Sequence, residues 1–108
     1  MITEKSNAWA ERLREESRLR ILRRLSERPD YSAPAPALQM DLEGHGLAQS
    51  MASVRTAIAW LEEQGLVIAQ PVGGAGGILI ATATESGMDV AAGRSLVPGV
   101  ARIRPGEL

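Results

Sequence analysis

His45 is the one histidine of the chain, and it stands between Gly44 and Gly46. A metal site needs several N, O or S ligands converging on one point. Asp41 and Glu43 are the acids near His45, and the 108 residues contain no cysteine, so no metal site is expected. His45 reads as a turn residue. A single histidine with no serine and aspartate placed around it also defines no catalytic triad. The run Gly73-Gly74-Ala75-Gly76-Gly77 lacks the Lys-Ser/Thr of a phosphate-binding loop. No cofactor is expected, and the chain does not read as an enzyme. What remains are groups suited to binding: Gln49, Ser50, Ser53, Arg55 and Thr56. Hydroxyls at the start of a helix can bond phosphate oxygens, helped by the unpaired N–H groups there. An arginine can pair bidentately with a guanine edge. Set against this, Ser50 also suits a simple helix cap and Arg55 a solvated charge.

These residues need a helix to present them. Ser50 is a good N-cap for a helix over Met51–Gln64, because its oxygen can accept from a free N–H of the first turn. Val54, Ala57, Ile58 and Leu61 recur at helical spacing and form its buried stripe. Trp60 lies beside that stripe and is expected to pack under the following hairpin. A short helix over Ala37–Glu43, with Leu38 and Leu42 inward, precedes it across the turn Gly44-His45-Gly46. The segment from Asp30 to Ala37 reads as a loop whose prolines fit a helix's first turn. After Gly65, Leu66–Val72 and Ile78–Ala83 read as two strands joined by the glycine turn. Thr84 caps a last helix, Glu85–Ala92, which Gly93 ends.

A long first helix is expected over Ser6–Glu27, rich in Glu, Arg, Leu and Ala and stopped at Arg28-Pro29. Glu15 with Arg18, Glu16 with Arg20, and Arg23 with Glu27 lie at spacings where opposite charges meet. Its apolar pattern changes phase. Leu19, Ile21, Leu22 and Leu25 share one arc, whereas Trp9 and Leu13 share another. One helix cannot press both arcs onto one small core. Trp9 and Leu13 are therefore expected to form a homodimer contact, the other choices being a bend or a cover for the C-terminal tail.

Hydrophobic residues make up 44% of the chain and aromatics only 3%, with no phenylalanine, so the core must be aliphatic. No run approaches the roughly 20 apolar residues of a membrane span, and the charged N-terminus does not resemble a secretory signal. A cytoplasmic location is expected. Formal net charge is −1, and it is unevenly spread. Residues 1–31 hold eight basic groups against six acids; residues 32–93 hold Arg55 alone against six. Arg94, Arg102 and Arg104 follow in the tail and are candidates for phosphate contact. The expected organisation is a helical extension over 1–18, a folded domain over 19–93 and an extended tail over 94–108.

Three helices followed by a glycine-tipped hairpin is the order of a winged helix-turn-helix. The expected class is thus α+β, mostly α: a three-helix core, a β-hairpin wing and a short C-terminal helix. His45-Gly46, Val54-Arg55-Thr56, Ala59-Trp60-Leu61, Glu63-Gln64-Gly65-Leu66-Val67, Gly87–Arg94 and Val97-Pro98-Gly99-Val100 resemble a family of small proteins from Mu-like transposable prophages. Those proteins are usually described as winged-helix, ArsR-like or MarR-like regulators. The resemblance spans about residues 19–104 and implies a phage setting and a role at double-stranded DNA. It departs at Met51-Ala52-Ser53, where similar proteins carry Arg or Asp. The expected function is transcriptional regulation, with the third helix in the major groove. The alternative is a winged helix that docks a phage protein without touching DNA, which the acidic middle of the chain favours.

Overall fold

The computed structural model describes residues 4–74, 76–104 and 106. Of the sequence expectations, Ala75 of the glycine turn and the chain ends at 1–3, 105 and 107–108 lie outside the described residues. The elements are α1 (Glu4–Ser26), β1 (Ser32–Pro34), α2 (Ala35–Gly44), α3 (Met51–Glu63), β2 (Val67–Val72), β3 (Ile78–Ala83) and α4 (Glu85–Ala91). The chain is α+β, with four helices and a three-stranded antiparallel sheet in the order β1-β3-β2. That layout is consistent with a winged helix.

Residues 30–37 correct the sequence reading. Ser32–Pro34 is a strand, not a loop, and it pairs with β3 through Ser32↔Thr82, Ala33↔Ala81 and Pro34↔Ile80. Tyr31 turns the chain into it with φ 58°, and Asp30 accepts a hydrogen bond from the Ser32 N–H. Proline is tolerated here because β1 is an edge strand. The second helix accordingly starts at Ala35, two residues earlier than expected.

The core is aliphatic. Ile21, Leu22 and Leu25 of α1 meet Leu38 and Leu42 of α2, with Val54, Ile58 and Leu61 of α3 and Val67 of β2. Every member of the expected α3 stripe is buried. Ser50 caps α3 by accepting from the Ser53 N–H, and Thr84 caps α4 by accepting from the Gly87 N–H. Gly65 adopts φ 75°, which lets the Leu66 N–H reach back to the Leu61 carbonyl and turn α3 into β2.

Two further findings bear on organisation. α1 is one continuous helix, and Ser17 and Arg18 within it are buried, so a boundary at 18/19 falls inside a packed element. The tail after α4 is extended but docked. Val100 is buried, and the Ala101 N–H donates to the Glu15 carbonyl. Among the described residues no helix is long and apolar enough to cross a membrane.

Candidate functional site

The exposed face of α3 and the first half of α1 together bound the site. α3 buries Val54, Ala57, Ile58 and Leu61, and a helix so anchored must turn Ala52, Ser53, Arg55, Thr56 and Ala59 outward. Arg55 is exposed and makes no ion pair among the described residues. Ser53 and Thr56 are exposed as well, and the Thr56 hydroxyl donates back to the Ala52 carbonyl at 3.0 Å. The Ser50 hydroxyl both caps the helix and donates to Ser53 Oγ at 3.2 Å.

Gln49 departs from the expected outward set. Its amide is half-buried and donates to Ser17 Oγ at 2.8 Å and to the Leu47 carbonyl at 3.1 Å. Ser17 in turn donates to the Leu13 carbonyl. Gln49 therefore ties the turn before α3 to α1, and Ser50, Ser53, Arg55 and Thr56 carry the exposed surface.

A groove of about 410 Å³ runs between α1 and α3. Ala10, Leu13, Arg14 and Arg18 wall it on one side, and Ala52, Ser53 and Thr56 on the other. The sequence singles out Leu13 on one wall and Gln49, Ser53 and Thr56 on the other, but not the groove that they share. The signal was present in Ser17 and Arg18, two polar residues at positions the helical repeat turns inward. Arg55 is not part of this lining and lies in the N-terminal half of α3, whereas at the C-terminal end Glu62 accepts from the Ala69 N–H of β2 at 2.9 Å.

The remaining basic groups are largely committed within the fold. Arg94 pairs with Asp89 at 2.9 Å and Arg104 with Glu16 at 2.6 Å. Arg102 is exposed. Arg20 donates to Asp41 and to Glu27, both at 2.9 Å, so Glu16 turns to the tail and the expected Glu16–Arg20 pair gives way. These contacts spend much of the α1 and tail charge inside the molecule. His45 is exposed, with Nδ1 2.8 Å from the Asp41 carbonyl, as suits a turn residue. Among the described residues no group of three or more His, Cys, Asp or Glu could hold a metal ion.

The two expected dimer residues share α1. Trp9 is 66% exposed, so it does not seal the tail. Leu13 is half-buried and walls the groove. The Trp60 ring lies under the Arg18 guanidinium and against Gly99 of the tail, two contacts that the sequence did not announce.

The fold and site define a small α+β chain whose third helix is braced from within and open on its outer face. No family model matches the chain. It is 41% identical over 93 residues to an uncharacterized protein, gp26, of Escherichia phage Mu, covering 86% of this chain and 93% of the phage protein. The chain belongs to the family of that protein, which supports a Mu-like phage origin.

Proposed function

We propose that the chain is a winged helix-turn-helix protein that binds double-stranded DNA as a homodimer and regulates transcription in a phage or prophage setting. The observation that carries this reading is the exposed N-terminal half of α3. It presents Arg55, Ser53 and Thr56 to solvent on a helix whose opposite side is fully buried. Inserted in a major groove, Arg55 would meet a base edge or a phosphate, and the hydroxyls would meet phosphates. β2 and β3 follow α3 and pair as a hairpin, which this reading takes as the wing. Its tip offers glycine backbone and no Lys or Arg, so the electrostatic contribution must come from elsewhere.

The test is a titration against random and phage-derived duplexes at low and moderate salt. The expected result is an affinity that falls with salt and drops on Arg55→Ala. Even non-specific binders reach roughly 10⁻⁴–10⁻⁶ M at physiological salt. Absence of binding at low salt with protein in the tens of micromolar would overturn the reading.

A second reading rests on a specific observation. The outer face of the sheet carries Ile68, Val72 and Ile78, each about half exposed, with Ile80 beside them, Pro34 on the edge strand, and the polar Gln70, Thr82 and Ser32. Strand alternation puts these residues on one side, and no charged residue lies among them. An uncharged face with half-exposed isoleucine and valine among neutral polar groups suits a protein partner. A winged helix serving as an interaction module of phage machinery is therefore the alternative, and failure of the DNA titration would favour it.

A further inference from the structure

We infer that the α1–α3 groove is the seat for Trp9 of a second copy of the chain, so that two copies exchange their indoles across a two-fold axis. The inference specifies the homodimer contact and stands whether or not the chain binds DNA. Trp9 is 66% exposed, the larger of the two aromatics so placed. It sits next to Ala10 and one turn before Leu13, both of which wall the groove. The groove's roughly 410 Å³ has an apolar floor of Ala10, Leu13, Ala52 and Ala57, and it admits a side chain of indole size.

Helix geometry supplies the pairing. Groove residues on α1 run from Ala10 to Arg18, so their midpoint is Arg14, five residues beyond Trp9. At 1.5 Å rise per residue, an antiparallel crossing centred between Glu11 and Arg12 places Trp9 opposite the partner's Arg14. The same crossing places Ala10 opposite the partner's Leu13. Each contact then occurs twice, as a two-fold interface requires.

The charges agree with this arrangement. The Arg14 side chain is exposed at the lip and is steadied by Glu11 at 2.7 Å. A guanidinium over an indole face is an attractive pair. The fold already uses that pair once, with Arg18 over Trp60 at 3.9 Å. An aromatic side chain buries roughly 150–250 Å² when covered, and two are covered here at once. Filling the groove covers Ser53 and Thr56 with the partner, so in this dimer the duplex contact proposed above rests on Arg55, which lies outside the groove, and not on those two hydroxyls.

Sedimentation equilibrium across the micromolar range tests the inference. The expected wild-type mass is twice that of one chain. Trp9→Ala is expected to weaken association at least about 30-fold, the factor a hot-spot aromatic carries. Ala52→Glu, which narrows and charges the groove, is expected to do the same, and Glu43→Ala, exposed near the end of α2 and outside the groove, to leave association unchanged. Trp9 and Ala52 are exposed, so thermal melts should show that these variants remain folded. The chain contains no cysteine, which allows a direct check of register. Chains carrying Ala10→Cys, mixed with chains carrying Leu13→Cys, should form the mixed disulfide in preference to either symmetric one. A monomeric wild type would overturn the inference, as would a dimer that survives Trp9→Ala and Ala52→Glu. So would preferential Ala10→Cys self-linkage. Arg55→Ala should change DNA affinity and not mass, which separates failure of this contact from failure of DNA binding.

Discussion

The guanidinium of Arg18 lies 3.9 Å from the centroid of the Trp60 ring, and its Nη1 donates to the Gly99 carbonyl at 3.0 Å. One side chain of α1 thus joins α3 to the tail. Burial lowers the Arg18 pKa, the Glu11 carboxylate opposes that shift, and Arg14 adds to it. The guanidinium nevertheless stays charged at neutral pH. Its Nε is buried and has no hydrogen-bond partner among the described residues, so the stacking and the Nη1 contacts must offset the cost of burying it. Arg18→Ala is expected to destabilise the fold by about 2–3 kcal/mol, combining a desolvated cation–π pair with a charged hydrogen bond. Arg18→Lys should recover only part of this, because an ammonium cannot lie flat on the ring. Urea unfolding of the three proteins checks the order.

Gly99 is the other half of that junction. Its φ is 99°, and a Cβ there would come within 2.5 and 2.7 Å of two Trp60 ring carbons. Gly99→Ala therefore combines backbone strain with a ring clash, at a cost of order 1–3 kcal/mol. The expected response is local: the tail lifts while the α1–α2–α3 core holds. Hydrogen exchange should show faster exchange at the Ala101 N–H, which now bonds the Glu15 carbonyl. An unchanged rate there would show that the tail is held by other means.

The parts of this fold that were legible in the sequence are those set by local period. Val54, Ala57, Ile58 and Leu61 stand out because helical spacing alone places them on one side, and Ser50 and Thr84 because a cap needs only its own first turn. β1 was hidden because three residues ending in proline carry no alternation. It exists only because β3 lies beside it, some 50 residues on. Gln49 looked outward for the same reason. Its amide turns inward to Ser17, 32 residues earlier, and no local pattern records that partner. Trp60 was rightly placed at the edge of the stripe. One of the elements it touches, the tail, carries no periodicity to announce a packed segment. The groove escaped notice because it belongs to two helices at once.

Gly87 marks the tightest backbone approach in the core. A Cβ on this residue would overlap the Leu66 carbonyl oxygen, with Leu22 Cδ2 at 3.3 Å. Its backbone N–H is also the donor that Thr84 accepts. Because the obstacle is backbone at the α3-to-β2 turn, little can move aside. Gly87→Ala is expected to cost about 3 kcal/mol or more, in the range of severe overpacking. A midpoint shift in urea below about 1 kcal/mol would mean that α4 can slide away from the turn.

Ser50 and Arg55 separate stability from recognition. The Ser50 oxygen accepts the Ser53 N–H at 3.1 Å, a bond that satisfies one of the free donors of α3. Ser50→Ala should therefore lower stability by about 1 kcal/mol, with fraying confined to the first turn of α3. Arg55 is exposed and touches no ion-pair partner among the described residues, so Arg55→Ala should stay within about 0.5 kcal/mol of wild type. Thermal melts followed by circular dichroism give both numbers before any duplex is added. If Arg55→Ala then binds DNA more weakly while Ser50→Ala falls only as far as its lost stability predicts, the guanidinium acts at the surface of the duplex. A large loss of stability in Arg55→Ala would instead make that residue part of the scaffold, and its effect on DNA could no longer be read as contact.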